Sequence, residues 1–192
     1  KQFDEKKRES LYSRVLELAE NKVLFGATGK ASVEEIEEHN IVGATCLAMQ
    51  RAMDAASCKY AGLWKPELTS SMELFENNRD QGKDWIVLVD GRPMKKLPYK
   101  HAGLVKGDTK SLAIAMASML AKVSRDRFMR ELHNQFPEFG FNSNKGYGAP
   151  VHLRALRECG PTEHHRPRFL RNLLSDTKNT ARNQEQSQLS LL

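Results

Sequence analysis

The sequence predicts an α/β fold in which a sheet is covered by helices on both faces. Three observations predict it. Helical and strand patterns alternate along the chain; one strand candidate, Ile86-Val87-Leu88-Val89, is a continuous apolar run; and 192 residues with 40% hydrophobic content are enough for one core and too few for two ordinary domains. A run that is apolar at every position suits a strand buried on both faces, the situation that helices on either side of a sheet create.

The elements follow in order. Phe3, Leu11, Val15 and Leu18 recur near helical spacing with charges between them, so residues 3–20 read as a helix. Val23 to Thr28 is β-branched and aromatic, is punctuated by Gly26 and Gly29, and reads as a strand. Ser32-Val33-Glu34-Glu35 has the form of a capping box, and Ile36, Ile41, Ala44, Leu47, Ala48 and Met53 extend a long amphipathic helix behind it. Residues 57–84 are polar without a dominant period, which suits a surface insertion anchored by Trp64 and Phe75. The strand at 86–89 stops at Asp90-Gly91, and a second, Ala102 to Val105, stops at Lys106-Gly107-Asp108. A helix from about Ser111 to Asn134 carries Ile114, Ala117, Ala121, Phe128 and Leu132 on one side, and Pro137 ends it. Gly140, Gly146 and Gly148 make 138–149 a loop, after which Pro150 opens a helix through about Glu158 that Gly160-Pro161 closes. The expected division is a domain at 1–174 and a flexible polar tail at 175–192.

Composition narrows the function. No apolar run approaches a membrane span and no leader pattern is visible, so a cytoplasmic protein is expected, without a membrane partner. Cys46, Cys58 and Cys159 are odd in number and far apart, which suits three buried or unreactive thiols better than disulfides or a thiolate metal site. Position 1 is lysine, as expected of a processed or truncated chain. Residues 1–90 hold 12 Lys/Arg against 16 Asp/Glu, whereas 91–154 hold 12 against 4. A basic third quarter favours a polyanion such as nucleic acid, although a solvated basic face has the same composition.

Asp90 and Asp108 each follow a predicted buried strand, and ligands of α/β sheets gather at the carboxyl ends of strands. Two converging carboxylates would repel unless a hard cation such as Mg²⁺ lay between them. The same residues also read as a turn signal at Asp90-Gly91 and a helix cap at Asp108. Asn144-Lys145-Gly146-Tyr147-Gly148 offers a cation for phosphate and an aromatic face for a sugar or base, or is a plain surface turn with a packed tyrosine. His164-His165 mimics a metal pair, but adjacent side chains diverge. Arg166, Arg168 and Arg171 suit a solvated helix face as well as a nucleic acid.

Longer stretches carry a resemblance. Val105-Lys106-Gly107-Asp108, Ile114 through Asp126, Asn144 through Gly148, His152-Leu153, and Gly160-Pro161 to His165-Arg166 and Phe169 resemble bacterial ribonuclease HII. So do, upstream and in the same order, Glu35-Ile36-Glu37, Ala48 through Ala52 and Val87 through Gly91. The resemblance spans roughly 1–170. It implies an RNase H-like mixed sheet flanked by helices, and an endonuclease that cuts the RNA strand of RNA–DNA hybrids and single ribonucleotides in duplex DNA. Two Mg²⁺ or Mn²⁺ ions would serve catalysis, leaving 5′-phosphate and 3′-hydroxyl ends, and the intact enzyme is expected to be a monomer. Asp90 and Asp108 match two of the family's four metal-binding acids, and Tyr147 matches the tyrosine that packs on the sugar beside the ribonucleotide. Lys106, Lys122 and Lys145 are candidates for phosphate contact. The family's first strands, with their Asp-Glu-Ala-Gly-Arg-Gly segment, have no counterpart here, so the chain is expected to lack two acids and the loop that senses the 2′-hydroxyl. Asn144 and Ala149 stand where the family commonly has histidine and threonine. A catalytically incomplete nucleic-acid-binding fragment, or another RNase H-like nuclease such as a junction resolvase, are the other readings.

Overall fold

A computed structural model describes residues 3–59 and 86–171. Trp64, Phe75 and nearly all of the expected insertion, with the whole expected tail, lie outside them.

The first helix, α1 (Glu5–Glu20), starts at Asp4, whose carboxylate accepts from the Lys7 amide at 2.7 Å. It ends with Lys22 in the left-handed region (φ 59°), where Val23 N–H bonds Leu18 O and Lys22 N–H bonds Ala19 O. That double closure satisfies the last carbonyls and turns the chain.

The strand expected at 23–28 does not form: these residues have no ladder partner. β propensity describes how a side chain fits a pleated surface between neighbouring strands, and helices surround this segment instead. A Cβ at Gly26 would stand 2.9 Å from Leu120 Cδ1, and one at Gly29 would stand 2.0 Å from Ala48 O. The backbone therefore lies directly on the helix that carries Ala48, which only glycine permits.

That helix, α2 (Val33–Lys59), opens with the expected capping box: Ser32 N–H donates to Glu35 Oε2 at 2.8 Å and Glu35 N–H to Ser32 Oγ at 3.3 Å. It is not the single straight helix that the sequence predicts. Asn40 breaks it (φ 59°, ψ 174°), and its side-chain oxygen accepts from the Val42 and Gly43 amides, capping the second half. Arg51 then reaches back to Glu35 with two hydrogen bonds of 2.5 and 2.8 Å and also bonds Lys30 O at 2.7 Å. The Arg51 guanidinium, aided by the Ser32 amide, pushes the Glu35 carboxyl down to about 2. Any stability from this pairing is present above the ordinary glutamate pKa and is lost as pH falls towards 2. Arg51→Leu is expected to return the Glu35 pKa most of the way towards about 4.3, read by NMR titration of the side-chain carboxyl; an unmoved value would assign the shift to the cap alone.

Strands β1 (Leu88–Asp90) and β2 (Ala102–Leu104) pair in parallel, Asp90 opposite Leu104. The run at 86–89 is not buried on both faces as expected: Val89 is 5% exposed, whereas Ile86 and Leu88 are exposed. Only one face of β1 meets a core, formed by Val89, Cys46, Leu97 and Tyr99. Tyr99, buried there, donates to Asp54 Oδ1 at 2.5 Å, and burial together with that carboxylate raises its hydroxyl to about 12.

The longest unbroken helix, α3 (Leu112–Gln135), buries Ile114, Val123, Asp126, Met129 and Leu132. Ala117 and Ala121, expected inside, are exposed, because the stripe turns towards α1. Across that contact Glu9 meets Arg127 at 2.7 Å and Arg130 at 2.8 Å, and these hydrogen bonds lower its carboxyl pKa. Residues 137–149 are not all loop: a 3₁₀ turn (Pro137–Phe139) leads into one helical turn, α4 (Phe141–Asn144), before α5 (Pro150–Glu158). Phe139, Phe141, Met129, Leu132, Ala155 and Leu156 form the second core. Of the three free thiols Cys46 is buried, whereas Cys58 and Cys159 are exposed, so burial accounts for one of them. Among the described residues no helix is long and apolar enough to cross a membrane.

Candidate active site

Parallel pairing brings the carboxyl ends of β1 and β2 side by side, and each ends in an acid-bearing turn. Asp90 Oδ1 accepts the Gly107 amide at 2.8 Å, so the carboxylate that closes β1 holds the loop that follows β2. Asp108, exposed in the 3₁₀ turn Gly107–Thr109, lies one peptide step from that bond. A Cβ at 107 would meet Ile114 Cδ1 at 2.6 Å and Asp90 Oδ1 at 3.2 Å, so a side chain would displace the end of Ile114 and crowd the acid. Lys106 takes the left-handed conformation (φ 55°), and its carbonyl accepts from Thr109 N and Oγ1 at 3.1 and 2.8 Å. Asp108 thus belongs to this turn rather than capping α3, whose N-cap is Ser111.

The second candidate cluster is the turn after α4. Lys145 (φ 52°) and Gly146 (φ 83°) are both left-handed, and Tyr147 is 74% exposed rather than packed. Asn144 serves the turn itself: its oxygen accepts from Gly146 N at 2.8 Å and its amide donates to Phe139 O at 2.6 Å. Lys145 Nζ bonds Asn142 O at 2.6 Å. Underneath, Arg125 Nη2 donates to Lys145 O at 3.2 Å, and a Cβ at Gly146 would stand 3.1 Å from Met129 Cε.

The two clusters rest on different stretches of α3. Ile114 supports the acids and Arg125 and Met129 support the tyrosine turn, 11 to 15 residues further on or roughly 16 to 22 Å along the axis. Between them Lys122 is engaged with buried Asp126 at 2.5 Å, and Asp126 also faces Arg8 at 3.5 Å. The structure therefore groups Asp90, Asp108 and Lys106, groups Lys145 and Tyr147, and sets Lys122 in an ion pair within α3 to Asp126, the residue through which Arg8 ties α1 to α3.

Sequence reasoning missed Arg125, and it missed the joint role of His152 and His165. His152 is 5% exposed; its Nδ1 bonds Tyr147 O at 2.8 Å and its Nε2 meets His165 Nε2 at 3.0 Å. Thirteen residues separate the two, so no local spacing announces the contact; both histidines stand in stretches that carry the family resemblance, which marks the residues but not their contact. His164 does diverge from His165, packing edge-on against Phe128 and Phe136.

Whether Asp90 and Asp108 suit a metal is decided by their donors. Carboxylates at two paired strand ends offer oxygen only, which fits Mg²⁺ or Mn²⁺, and Mg²⁺ commonly takes one or two protein carboxylates and completes its shell with water and substrate phosphate. Among the described residues no group of three or more His, Cys, Asp and Glu side chains gathers to form a closed cage.

The model of the family described as Ribonuclease HII matches residues 1–173. The chain is 37% identical over 169 residues to the ribonuclease HII of Ehrlichia canis, covering 88% of this chain and 67% of that protein. It is 39% identical over 178 residues to that of a Wolbachia of Brugia malayi, covering 93% and 73%, and 40% identical over 169 residues to that of Burkholderia mallei, covering 88% and 66%. With the family model matched over residues 1–173 and relatives 37 to 40% identical over most of the chain, the chain belongs to the ribonuclease HII family of type 2 ribonuclease H hydrolases.

Proposed function

We propose that this chain serves hydrolysis of the RNA strand of RNA–DNA hybrids, and of phosphodiesters at ribonucleotides embedded in duplex DNA, to 5′-phosphate and 3′-hydroxyl ends. Asp90 and Asp108 hold Mg²⁺ or Mn²⁺ in a two-metal arrangement. The observation that carries this reading is the Asp90–Gly107 hydrogen bond, which registers the two acidic strand ends against each other. Bound there, such cations supply Lewis-acid stabilisation of phosphoryl charge and a water of lowered pKa. The chain's own residues do the rest. Gly107 keeps one Asp90 oxygen occupied and so fixes which way the carboxylate faces, and exposed Lys106 beside it attracts the phosphate backbone. Tyr147, exposed on a turn held by Asn144, Arg125 and His152, presents a flat apolar face to a sugar. Cleavage of a duplex carrying one ribonucleotide, with and without Mg²⁺ and with the ends of the products identified, tests the reading. Binding without cleavage would leave a nucleic-acid-binding module in its place.

Tyr147→Ala is expected to lose about 1 to 3 kcal/mol of affinity for such a duplex and Tyr147→Phe little, since stacking uses the ring face. Titrations at fixed salt decide it; equal losses would transfer the role to the hydroxyl.

A further inference from the structure

The tyrosine turn is held by a chain of hydrogen bonds that closes in one protonation pattern. Thr162 N–H can only donate, and it points at His165 Nδ1 at 3.0 Å, so that nitrogen is an acceptor and the ring's proton sits on Nε2. His165 Nε2–H faces His152 Nε2 at 3.0 Å, which is then the acceptor, leaving the His152 proton on Nδ1. That N–H donates to Tyr147 O at 2.8 Å, the same carbonyl that closes the turn with Ala149 N at 2.8 Å. Each ring in this chain carries one proton.

We infer that His152 and His165 are positioning residues that hold the Tyr147 turn through a ring-to-ring contact carrying a single proton, so that mild acid, by adding a second proton there, releases the tyrosine's contribution to nucleic-acid binding. The inference rests on the reading of Tyr147 above. Both acceptor nitrogens are already met by donors, and a proton added to His152 Nε2 sets N–H against N–H across a contact packed by Phe139 and Phe141. A proton on His165 Nδ1 has an acceptor in Thr162 Oγ1, 2.9 Å away, which keeps a lone pair beyond the one that receives His164 N–H, so the contact that a second proton breaks is the one between the two rings.

The charges around the pair pull both ways. Burial, first, and the neighbouring His152, second, lower the His165 pKa. His164, Glu163 and Arg166 flank it in its own loop, and Glu34, Glu37 and Glu38 of α2 line the cleft of about 750 Å³ that it borders. Glu37 faces Arg168 at 3.8 Å. A histidine whose folded pKa is lowered holds its stabilisation above the unfolded value near 6.5 and loses it as pH falls through that range.

Two measurements on the 192-residue chain test this. Nitrogen-15 NMR of the imidazoles near pH 8, without nucleic acid, should show His152 with its proton on Nδ1 and His165 with its proton on Nε2; a cationic ring or the opposite tautomer at His152 overturns the hold and leaves the Tyr147 reading standing. The affinity gap between wild type and Tyr147→Ala for a duplex carrying one ribonucleotide, in chelator, should shrink about tenfold between about pH 8 and about pH 5.5. General acidification works the other way, since added positive charge tightens binding to a polyanion. His165→Gln can turn either its NH2 or its Oε1 towards His152 Nε2, so it meets that nitrogen with or without a proton and should preserve the gap at both pH values; shrinkage as large as that of wild type in this variant overturns the proposal. A gap of zero at every pH, with the tautomers as assigned, overturns the Tyr147 reading instead.

Discussion

In the intact enzyme, replacing either Asp90 or Asp108 by asparagine is expected to lower hydrolysis of a ribonucleotide-containing duplex about 10²- to 10⁴-fold, because each factor of ten corresponds to about 1.4 kcal/mol of lost transition-state stabilisation. Asparagine is the informative choice. It keeps an oxygen able to accept the Gly107 amide at position 90, so the turn that carries Asp108 stays in place while the charge is removed. Both acids are exposed, and stability should change by no more than about 0.5 kcal/mol, as for other surface substitutions. Paramagnetic broadening of the Gly107 amide by Mn²⁺ gives a second readout that needs no turnover, and it should weaken in both variants. Near-normal cleavage together with unchanged broadening would remove Asp90 and Asp108 from the metal site.

The largest expected effect on stability is at Phe139. Its ring is 1% exposed, stacks on Phe141 with centroids 5.4 Å apart, and meets His165 at 4.9 Å and His152 at 5.9 Å. Phe139→Ala is expected to cost about 3 to 5 kcal/mol, a large share of a domain stability of about 5 to 15 kcal/mol. Thermal melting should fall by roughly 6 to 20 °C at the 2 to 4 °C per kcal/mol typical of this chain length. The consequence reaches the candidate site, because Phe139 O is also the acceptor for Asn144 and the ring forms one wall around the two histidines. Amide exchange at Gly146 and Tyr147 should therefore speed up in the variant by more than in α1. A loss below about 1 kcal/mol would mean that the second core repacks around the gap and does not set the turn.

Local chemistry made part of this molecule readable without coordinates. Pro150 and Gly160 bracket α5, the Ser32–Glu35 box opens α2, and Asp90 and Asp108 follow strands, because caps, turns and strand ends are settled by residues within a few positions of one another. The quoted motifs likewise placed the chain in its family, since an ordered series of short matches needs no knowledge of packing. Other features were decided by what came to lie against each segment. Val23 to Thr28 has strand chemistry but meets helices, so no ladder forms. Ala117 and Ala121 face water because the side of α3 that turns inward is the one that carries Ile114, Val123, Met129 and Leu132. Asn40 breaks α2 where its own side chain caps the second half. His152 and His165 are distant in sequence, and only the folding of 137–166 around Phe139 brings their rings to 3.0 Å and gives each nitrogen a defined donor or acceptor role. The sequence alone determined where turns, caps and acids stand along the chain, because those depend on near neighbours. Tertiary structure determined which of them touch, because contacts between distant residues depend on how whole faces pack.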